Sequence, residues 1–244
     1  MTRLLINGYK GRMGNAIINC IPRVPGVEVA AKTDIGDSIE ANISNCDVVI
    51  DFSHHSCTEN LIDACVKNLK PVVIGTTGHT EDEKNIIKQG AQKIPVVWSS
   101  NFSTGVNTLF WVVRHVAEAL GPEYDNEIIE FHHRLKKDAP SGTALSIAEI
   151  LAEVKKRKLD EIARHGRHGE TGVRTIDEIG IHAVRGGDVV GEHTVIFATF
   201  GERLEISHKA SSRETFAMGA IRAAIWVVGK PPGIYSMLDV LGLK

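Results

Sequence analysis

A chain of 244 residues, 43% hydrophobic and 24% charged, can bury one large core or two modest ones, and its composition excludes a disordered or low-complexity protein. With 28 Lys and Arg against 30 Asp and Glu, the net charge of -2 gives no long-range attraction for nucleic acid or an anionic membrane, so an anionic ligand has to be held locally. The four cysteines, Cys20, Cys46, Cys57 and Cys65, lack C-x-x-C spacing and fit reduced thiols better than a disulfide framework.

The first apolar run, Leu4 to Ile6, is too short for a signal peptide, and the stretch around Ala223 to Val228 is far below membrane-spanning length. A soluble, cytoplasmic chain is expected. Leu4 to Ile6 reads as a buried strand, Gly8 to Gly14 as a glycine turn, and Asn15 to Ile21 as a helix stopped by Pro22 and Pro25. Strands follow at Val27 to Ala31, Asp47 to Phe52, Pro71 to Ile74 and Pro95 to Trp98, with helices at Cys57 to Asn68 and Glu81 to Lys93 between them. Apolar strands that alternate with helices predict a Rossmann-like, doubly wound α/β domain over 1–103. The loops Gly8 to Gly14, Asp51 to His54, Gly75 to Thr77 and Ser99 to Phe102 then lie at strand carboxyl ends and are expected to line one crevice.

Beyond Thr104 the texture changes. A long helix, Val106 to Leu120, precedes a strand at Glu127 to Phe131 and a helix at Thr143 to Lys156. Strands at Ile179 to Val184, His193 to Phe200 and Arg203 to His208 are separated by Gly186-Gly187 and Gly201-Glu202, which predicts antiparallel hairpins. These elements make 104–213 a second, α+β domain with a mixed or antiparallel sheet. Over 214–244, an amphipathic helix with Phe216, Ala220, Ala223, Ala224 and Val227 at helical spacing is expected to return to the first domain.

Gly8-Tyr9-Lys10-Gly11-Arg12-Met13-Gly14 sits where a strand ends and a helix begins, so its N–H groups can meet a pyrophosphate at the positive end of the helix. The spacing is G-x-x-G-x-x-G, with Lys10 where the middle glycine usually stands, and the alternative reading is a plain strand-turn-helix without a ligand. Asp34, about 20 residues further on, can accept from the ribose hydroxyls of an adenosine. An acidic residue there disfavours a 2′-phosphate, while Lys10, Arg12 and Lys32 offset part of the repulsion, so the cofactor reads as NADH or NADPH with NADH favoured. Gly75-Thr76-Thr77 reads equally as a nicotinamide-ribose contact or as a polar turn.

The segment Glu127 to Ala144 runs from a strand through a cationic loop into a helix. Pro140 and Ser141 stand where a helix begins, and N–H groups near Ser141, Gly142 and Thr143 lack intrahelical partners, so they can grip a carboxylate. Reduction of a C=C or C=N bond needs an acid beside the hydride acceptor, and His132 and Lys136 suit that task. His133 and Lys136 can hold a second carboxylate, which points to a small dicarboxylate substrate. A metal site at His132 and His133 is rejected, because adjacent strand residues face opposite sides and no third ligand shows metal spacing.

These blocks, with Ile74-Gly75-Thr76-Thr77-Gly78, Ser100-Asn101-Phe102-Ser103, Gly191-Glu192-His193-Thr194 and Ser207 to Arg213, resemble the 4-hydroxy-tetrahydrodipicolinate reductase (dihydrodipicolinate reductase) family over nearly the whole chain. The resemblance implies reduction of (2S,4S)-4-hydroxy-2,3,4,5-tetrahydrodipicolinate to tetrahydrodipicolinate with loss of water, in the diaminopimelate route to lysine. It implies His132 as proton donor or acceptor, Lys136 as proton donor, and His133, Gly142 and Thr143 on the substrate carboxylates. It also implies Gly8, Tyr9, Lys10, Gly11, Arg12, Met13, Asp34, Gly75, Thr76, Thr77, Ser99, Ser100, Asn101 and Phe102 around the cofactor, hinges near Ser103 and Arg213, and a homotetramer built on the second domain. Ile35 stands where NADPH-binding members have an Arg, and the chain is short for the family between Asp34 and Asp47. The alternatives are another NAD(P)-dependent small-carboxylate dehydrogenase, of which the thioester-forming kind is disfavoured by the absence of a cysteine near the domain junction, and a non-catalytic nicotinamide sensor, against which His132, His133 and Lys136 weigh.

Overall fold

Runs of apolar residues decide the first sheet, because its inner strands bury both of their faces while the edge strand keeps one face exposed. Leu4 and Ile6 of β1 (Thr2–Asn7) point into one apolar cluster and Leu5 into another, and none of the three has exposed surface. The structure, a computed structural model, describes residues 1–243. The chain divides into two compact units, Met1–Thr104 with Arg213–Lys244, and Gly105–Ser212.

In the first unit, α1 (Arg12–Cys20) follows β1, then come β2 (Val27–Thr33), β3 (Val48–Asp51), α2 (Thr58–Lys67), β4 (Val72–Ile74), α3 (Glu81–Gly90) and β5 (Pro95–Trp98). The sheet order is β2-β1-β3-β4-β5-β11, all parallel, with β11 supplied by Gly233–Tyr235 near the chain end. Strand order reverses between β1 and β3, the position at which open α/β sheets bind ligands. Three-residue β11 has too little pattern for a sequence reading to register it.

The second unit holds most of α4 (Thr104–Leu120), then β6 (Asp125–His132), α5 (Gly142–Val154), α6 (Leu159–Ile162), β7 (Ala163–His165), β8 (Ile179–Arg185), β9 (Gly191–Thr199) and β10 (Glu202–Ala210). Its sheet runs β10-β9-β6-β8-β7. The expected hairpin between β8 and β9 does not form. The chain leaves β6 through α5 and returns as β8 parallel to β6, so β8 fills one side of β6 and β9 pairs antiparallel on the other. Only β9 and β10 form the predicted hairpin. Ile128, Ile179, Ile181, Val195 and Phe197 bury the helix-covered face against Ile147, Ala148 and Leu151 of α5.

Helix α7 (Glu214–Val227) lies in the first unit, where Ala217, Ala220, Ala223, Ala224 and Val227 join the cluster of Leu4, Ile6 and Ile50; α8 (Met237–Leu241) follows. Its small residues permit close approach. A Cβ on Gly219 would stand 1.7 Å from the Phe102 carbonyl oxygen, a backbone atom that cannot step aside. Gly219→Ala is therefore expected to destabilise the first unit by about 2–3 kcal/mol through overpacking, despite the better helix propensity of Ala. Urea denaturation monitored by tryptophan fluorescence checks this, and a neutral or stabilising effect would contradict the packing described.

Candidate active site

The glycine turn after β1 is shaped by contacts that only glycine tolerates. Gly8 has φ +81°, and a Cβ there would meet the Phe52 carbonyl oxygen at 2.5 Å; a Cβ on Gly14 would meet the Gly8 oxygen at 2.4 Å. α1 can therefore start directly on the turn. Lys10 N–H donates to Asp34 at 2.9 Å and Gly11 N–H to the Gly8 oxygen at 3.1 Å, so those two are spent internally. The first-turn N–H groups of Arg12 and Met13 have no acceptor within the helix, and no acidic residue occupies that turn. Side chains of Tyr9 and Met13 pack on the core, and Tyr9 N–H donates to the Thr33 oxygen at 3.4 Å.

Asp34 closes the turn from β2. One oxygen accepts from Lys10 N–H and the other from Ile35 N–H, and these bonds hold its carboxyl below the usual aspartate range. Gly8, Gly11, Asp34, Ile35 and Asp37 line a cleft of about 460 Å³, with Phe52, Ser53 and His54 across from them. A second hollow, about 350 Å³, is lined by Thr76, Thr77, His79, Trp98, Ser99 and Ser100. Both hollows lie at the carboxyl ends of one sheet.

A buried polar cluster ties those strand ends together. Asp51 of β3, 1% exposed, accepts from Asn7 Nδ2 at 2.7 Å, Ser53 Oγ at 2.6 Å and Thr76 Oγ1 at 2.6 Å, while Thr33 Oγ1 donates to Asn7 at 2.9 Å. Burial pushes the Asp51 carboxyl up, against these hydrogen bonds. Of the remaining predicted residues, Gly75 packs on the Phe52 ring and Asn101 shapes its own turn by accepting from Ser103 N–H at 2.8 Å. Phe102, 2% exposed and edge-on to Phe52 at 5.6 Å, turns its ring to the core. An apolar ring on a strand-end loop gains more from burial than from a rim. A tight glycine cradle, an open helix start and a ribose-height carboxylate fit a nicotinamide dinucleotide.

In the second unit the helix-covered face of β6 reads Asn126, Ile128, Glu130, His132, and its apolar character stops two residues before the strand ends. Glu130 has no exposed surface. It accepts from His132 Nδ1 at 2.5 Å, from both Arg185 Nη atoms at 2.7 Å and from Ser141 N–H at 3.1 Å. Arg185 is paired with His132 in register, and His193 of β9 is paired with Glu130. His193 Nε2 lies 3.0 Å from Ser141 Oγ and its ring is 5.2 Å from that of His132. Sequence reading missed Glu130, Arg185 and His193; the signal was a carboxylate two residues before His132, on the same strand face.

Burial lowers the pKa of His132, Glu130 opposes that shift, and the charges of Lys136 and Arg185 add to it. For Glu130 burial raises the pKa, and Arg185 and His132 together outweigh it, so the carboxyl sits below its ordinary range. Lys136 Nζ is held by Asp138 at 2.8 Å. His133 N–H donates to Val189, and its Nδ1 is buried without a partner. Helix α5 starts at Gly142 with Ser141 as its cap, accepting from Ala144 N–H at 3.2 Å; Thr143 is the second residue. Of the three N–H groups expected to grip a carboxylate, that of Ser141 is taken by Glu130. Space beyond Gly142 is open.

Family models for dihydrodipicolinate reductase match this chain over residues 2–102 (N-terminus) and 105–241 (C-terminus). The chain belongs to this family. The 4-hydroxy-tetrahydrodipicolinate reductase of Akkermansia muciniphila is 52% identical over 244 residues, covering 100% of this chain and 99% of the relative. That of Hahella chejuensis is 45% identical over 267 residues, covering 100% of both. Among solved structures, a dipicolinate-bound dihydrodipicolinate reductase from Paenisporosarcina sp. TG-14 aligns with a TM-score of 0.80 and 25% identity over 98% of each chain. Among the described residues, no helix of this reductase is long and apolar enough to cross a membrane.

The buried histidines give the reductase an acid-sensitive core. Burial chiefly pulls His193, 4% exposed, from 6.5 to about 4, so between those values the unfolded chain binds a proton that the folded chain refuses. Its contribution is favourable above pH 6.5 and is lost as pH falls towards 4, by about 3 kcal/mol in all. Urea midpoints measured from about pH 7.5 to 4 should fall less steeply for His193→Gln than for the parent chain. Parallel curves would show that His193 does not carry this loss.

Proposed function

We propose that this chain reduces 4-hydroxy-tetrahydrodipicolinate to tetrahydrodipicolinate, a reading supported by the activity for which its relatives are named and by the chemistry of both sites. In balance, the substrate gains a hydride and a proton and loses water. A nicotinamide cofactor, when bound, supplies the hydride. The chain's residues bind, orient and deliver the proton.

The observation that carries this reading is the grouping at the end of β6: a buried imidazole, an ammonium whose charge that imidazole feels, and the start of α5, whose first turn holds no acidic residue. His132 transfers the proton through Nε2, since Nδ1 is engaged by Glu130. Lys136, released from Asp138 by a carboxylate of the substrate, contributes charge and a second proton donor. His133 binds the same dianion, and Gly142 with Thr143 holds its other carboxylate at the helix start.

Gly8 to Met13, Asp34, Gly75 to Thr77 and the Ser99 to Phe102 loop hold the cofactor, with first-turn N–H groups of α1 on its pyrophosphate. Asp34 and Asp37 line the cleft and, among the described residues, no Lys or Arg does, so a 2′-phosphate there meets two carboxylates and NADH is preferred. We assign the reaction to the cytosol, in keeping with four free cysteines, and the assembly to a homotetramer. Support for the tetramer is the second sheet's open face, where Ile129 and Val184 stay 37% and 42% exposed beside Phe131 and Ile196.

Pyruvate, aspartate semialdehyde and the preceding synthase supply the substrate in a coupled assay that follows NADH and NADPH oxidation in parallel. Turnover with NADH in preference to NADPH is expected, and none with either would reject the reaction. His132→Gln and Lys136→Ala should each cut kcat by about 10²-fold while NADH binding, read by fluorescence, stays within about twofold. Wild-type turnover in both variants would favour another site. Ile35→Arg, exposed at the cleft, should improve KM for NADPH by about fivefold through one surface ion pair with the phosphate.

A further inference from the structure

We propose that Glu130 is a positioning residue that fixes the working tautomer of His132 and, through the same carboxylate, ties that imidazole to the start of α5. The inference rests on the reading of His132 as the proton-transfer group and deepens it.

Glu130 has no capacity left for a ligand. One oxygen, Oε2, accepts from His132 Nδ1 and Arg185 Nη1; the other, Oε1, accepts from Ser141 N–H and Arg185 Nη2. Two donors per oxygen fill the lone-pair positions of an ionised carboxylate. It therefore acts only through its neighbours. A carboxylate accepts and does not donate, so the proton shared with His132 belongs to Nδ1. Neutral His132 then presents its lone pair at Nε2, and imidazolium releases its proton from Nε2 alone.

The surroundings keep Nε2 in one place. A Cβ at position 191 would sit 2.9 Å from Nε2, so Gly191 of β9 is the residue that lets the ring lie against that strand. The His193 ring abuts His132 from the same strand and is itself held by Ser141 Oγ. Because Ser141 N–H binds Glu130 and Ser141 Oγ caps α5, the first turn of the helix is anchored to the carboxylate that orients the imidazole. Proton donor and carboxylate cradle are thus one rigid assembly with Glu130 at its centre.

The charges facing His132 are Glu130 on its own strand, Arg185 on β8, His193 on β9 and Lys136 in the following loop; Ser141, from α5, is neutral. Glu130 is the one anion among them. Removing its charge leaves Arg185 and Lys136 unopposed, and the imidazole gives up its proton at lower pH.

The test combines a tautomer with a pH profile. In the wild-type chain, two-dimensional ¹⁵N NMR of the histidines should show His132 protonated at Nδ1 and bare at Nε2 in its neutral form; an Nε2–H tautomer would overturn the proposal. Glu130→Gln should lower kcat by about 10²-fold, leave NADH affinity within about twofold, and move the His132 limb of the kcat profile to lower pH. Glu130→Asp, which keeps the charge, should hold that limb near its wild-type position while kcat falls less. Wild-type kcat and an unmoved limb in Glu130→Gln would also overturn it. Should Glu130→Gln fail to fold by circular dichroism, the wild-type tautomer and the Glu130→Asp profile decide. Absence of wild-type turnover on the coupled substrate would sink the reaction assignment alone, because the tautomer is read without substrate.

Discussion

A carboxylate with no exposed surface, standing where the central strand of the second sheet runs out, constrains everything around it. An unpaired charge at Glu130 would cost several kcal/mol, so its four donors are a condition of folding as well as of chemistry. Meeting that condition recruits distant parts of the chain. Arg185 arrives because β8 returns parallel to β6 through the α5 crossover, and Ser141 arrives because α5 begins at the end of the connecting loop. An antiparallel β8 would carry residue 185 to the other end of β6. The crossover topology is thus what lets one carboxylate be satisfied.

The first unit solves a similar problem with different partners. Asp51, like Glu130, is buried at a strand's carboxyl end, but its donors are the uncharged Asn7, Ser53 and Thr76. Without a cation, burial wins and the carboxyl is pushed up; at Glu130 the guanidinium and imidazole win and it is pulled down. The contrast follows function. Below the cleft proposed for the cofactor a polar knot only has to hold β1, β3 and β4 in register, whereas next to His132 a permanent charge governs which ring nitrogen carries a proton.

Legibility in the sequence tracks the range of the interaction. Consecutive apolar residues in β1, β3 and β4 announce a sheet buried on both faces, and Gly8 to Gly14 announces the turn, because both signals are local. The pairing of β8 with β6 escapes a local reading, because a glycine pair such as Gly186-Gly187 looks the same in a hairpin and in a connection between non-neighbouring strands. His132 and Lys136 stand out within one short segment. Glu130, though only two residues from His132, gains its meaning from Arg185 and His193, which lie on other strands, and no period in the chain connects them.

One further pattern, charge at helix starts, is local yet speaks directly of ligands. Helices α2, α3, α6, α7 and α8 each carry an acidic residue in the first turn, where it offsets the positive end of the peptide dipoles. Helices α1, α4 and α5 carry none. These three are the helices that follow Gly8 to Gly11, Ser99 to Ser103 and Lys136 to Ser141, the segments assigned to the cofactor and the substrate. An acidic side chain there would stabilise the isolated helix by up to about 1 kcal/mol and would repel a phosphate or carboxylate in the same stroke. The chain forgoes that stabilisation at α1 and α5, where a pyrophosphate and a carboxylate are proposed to bind, and at α4, beside a segment assigned to the cofactor, and takes it at α2, α3, α6, α7 and α8, so stability withheld at a helix start marks the place where the ligand completes the helix.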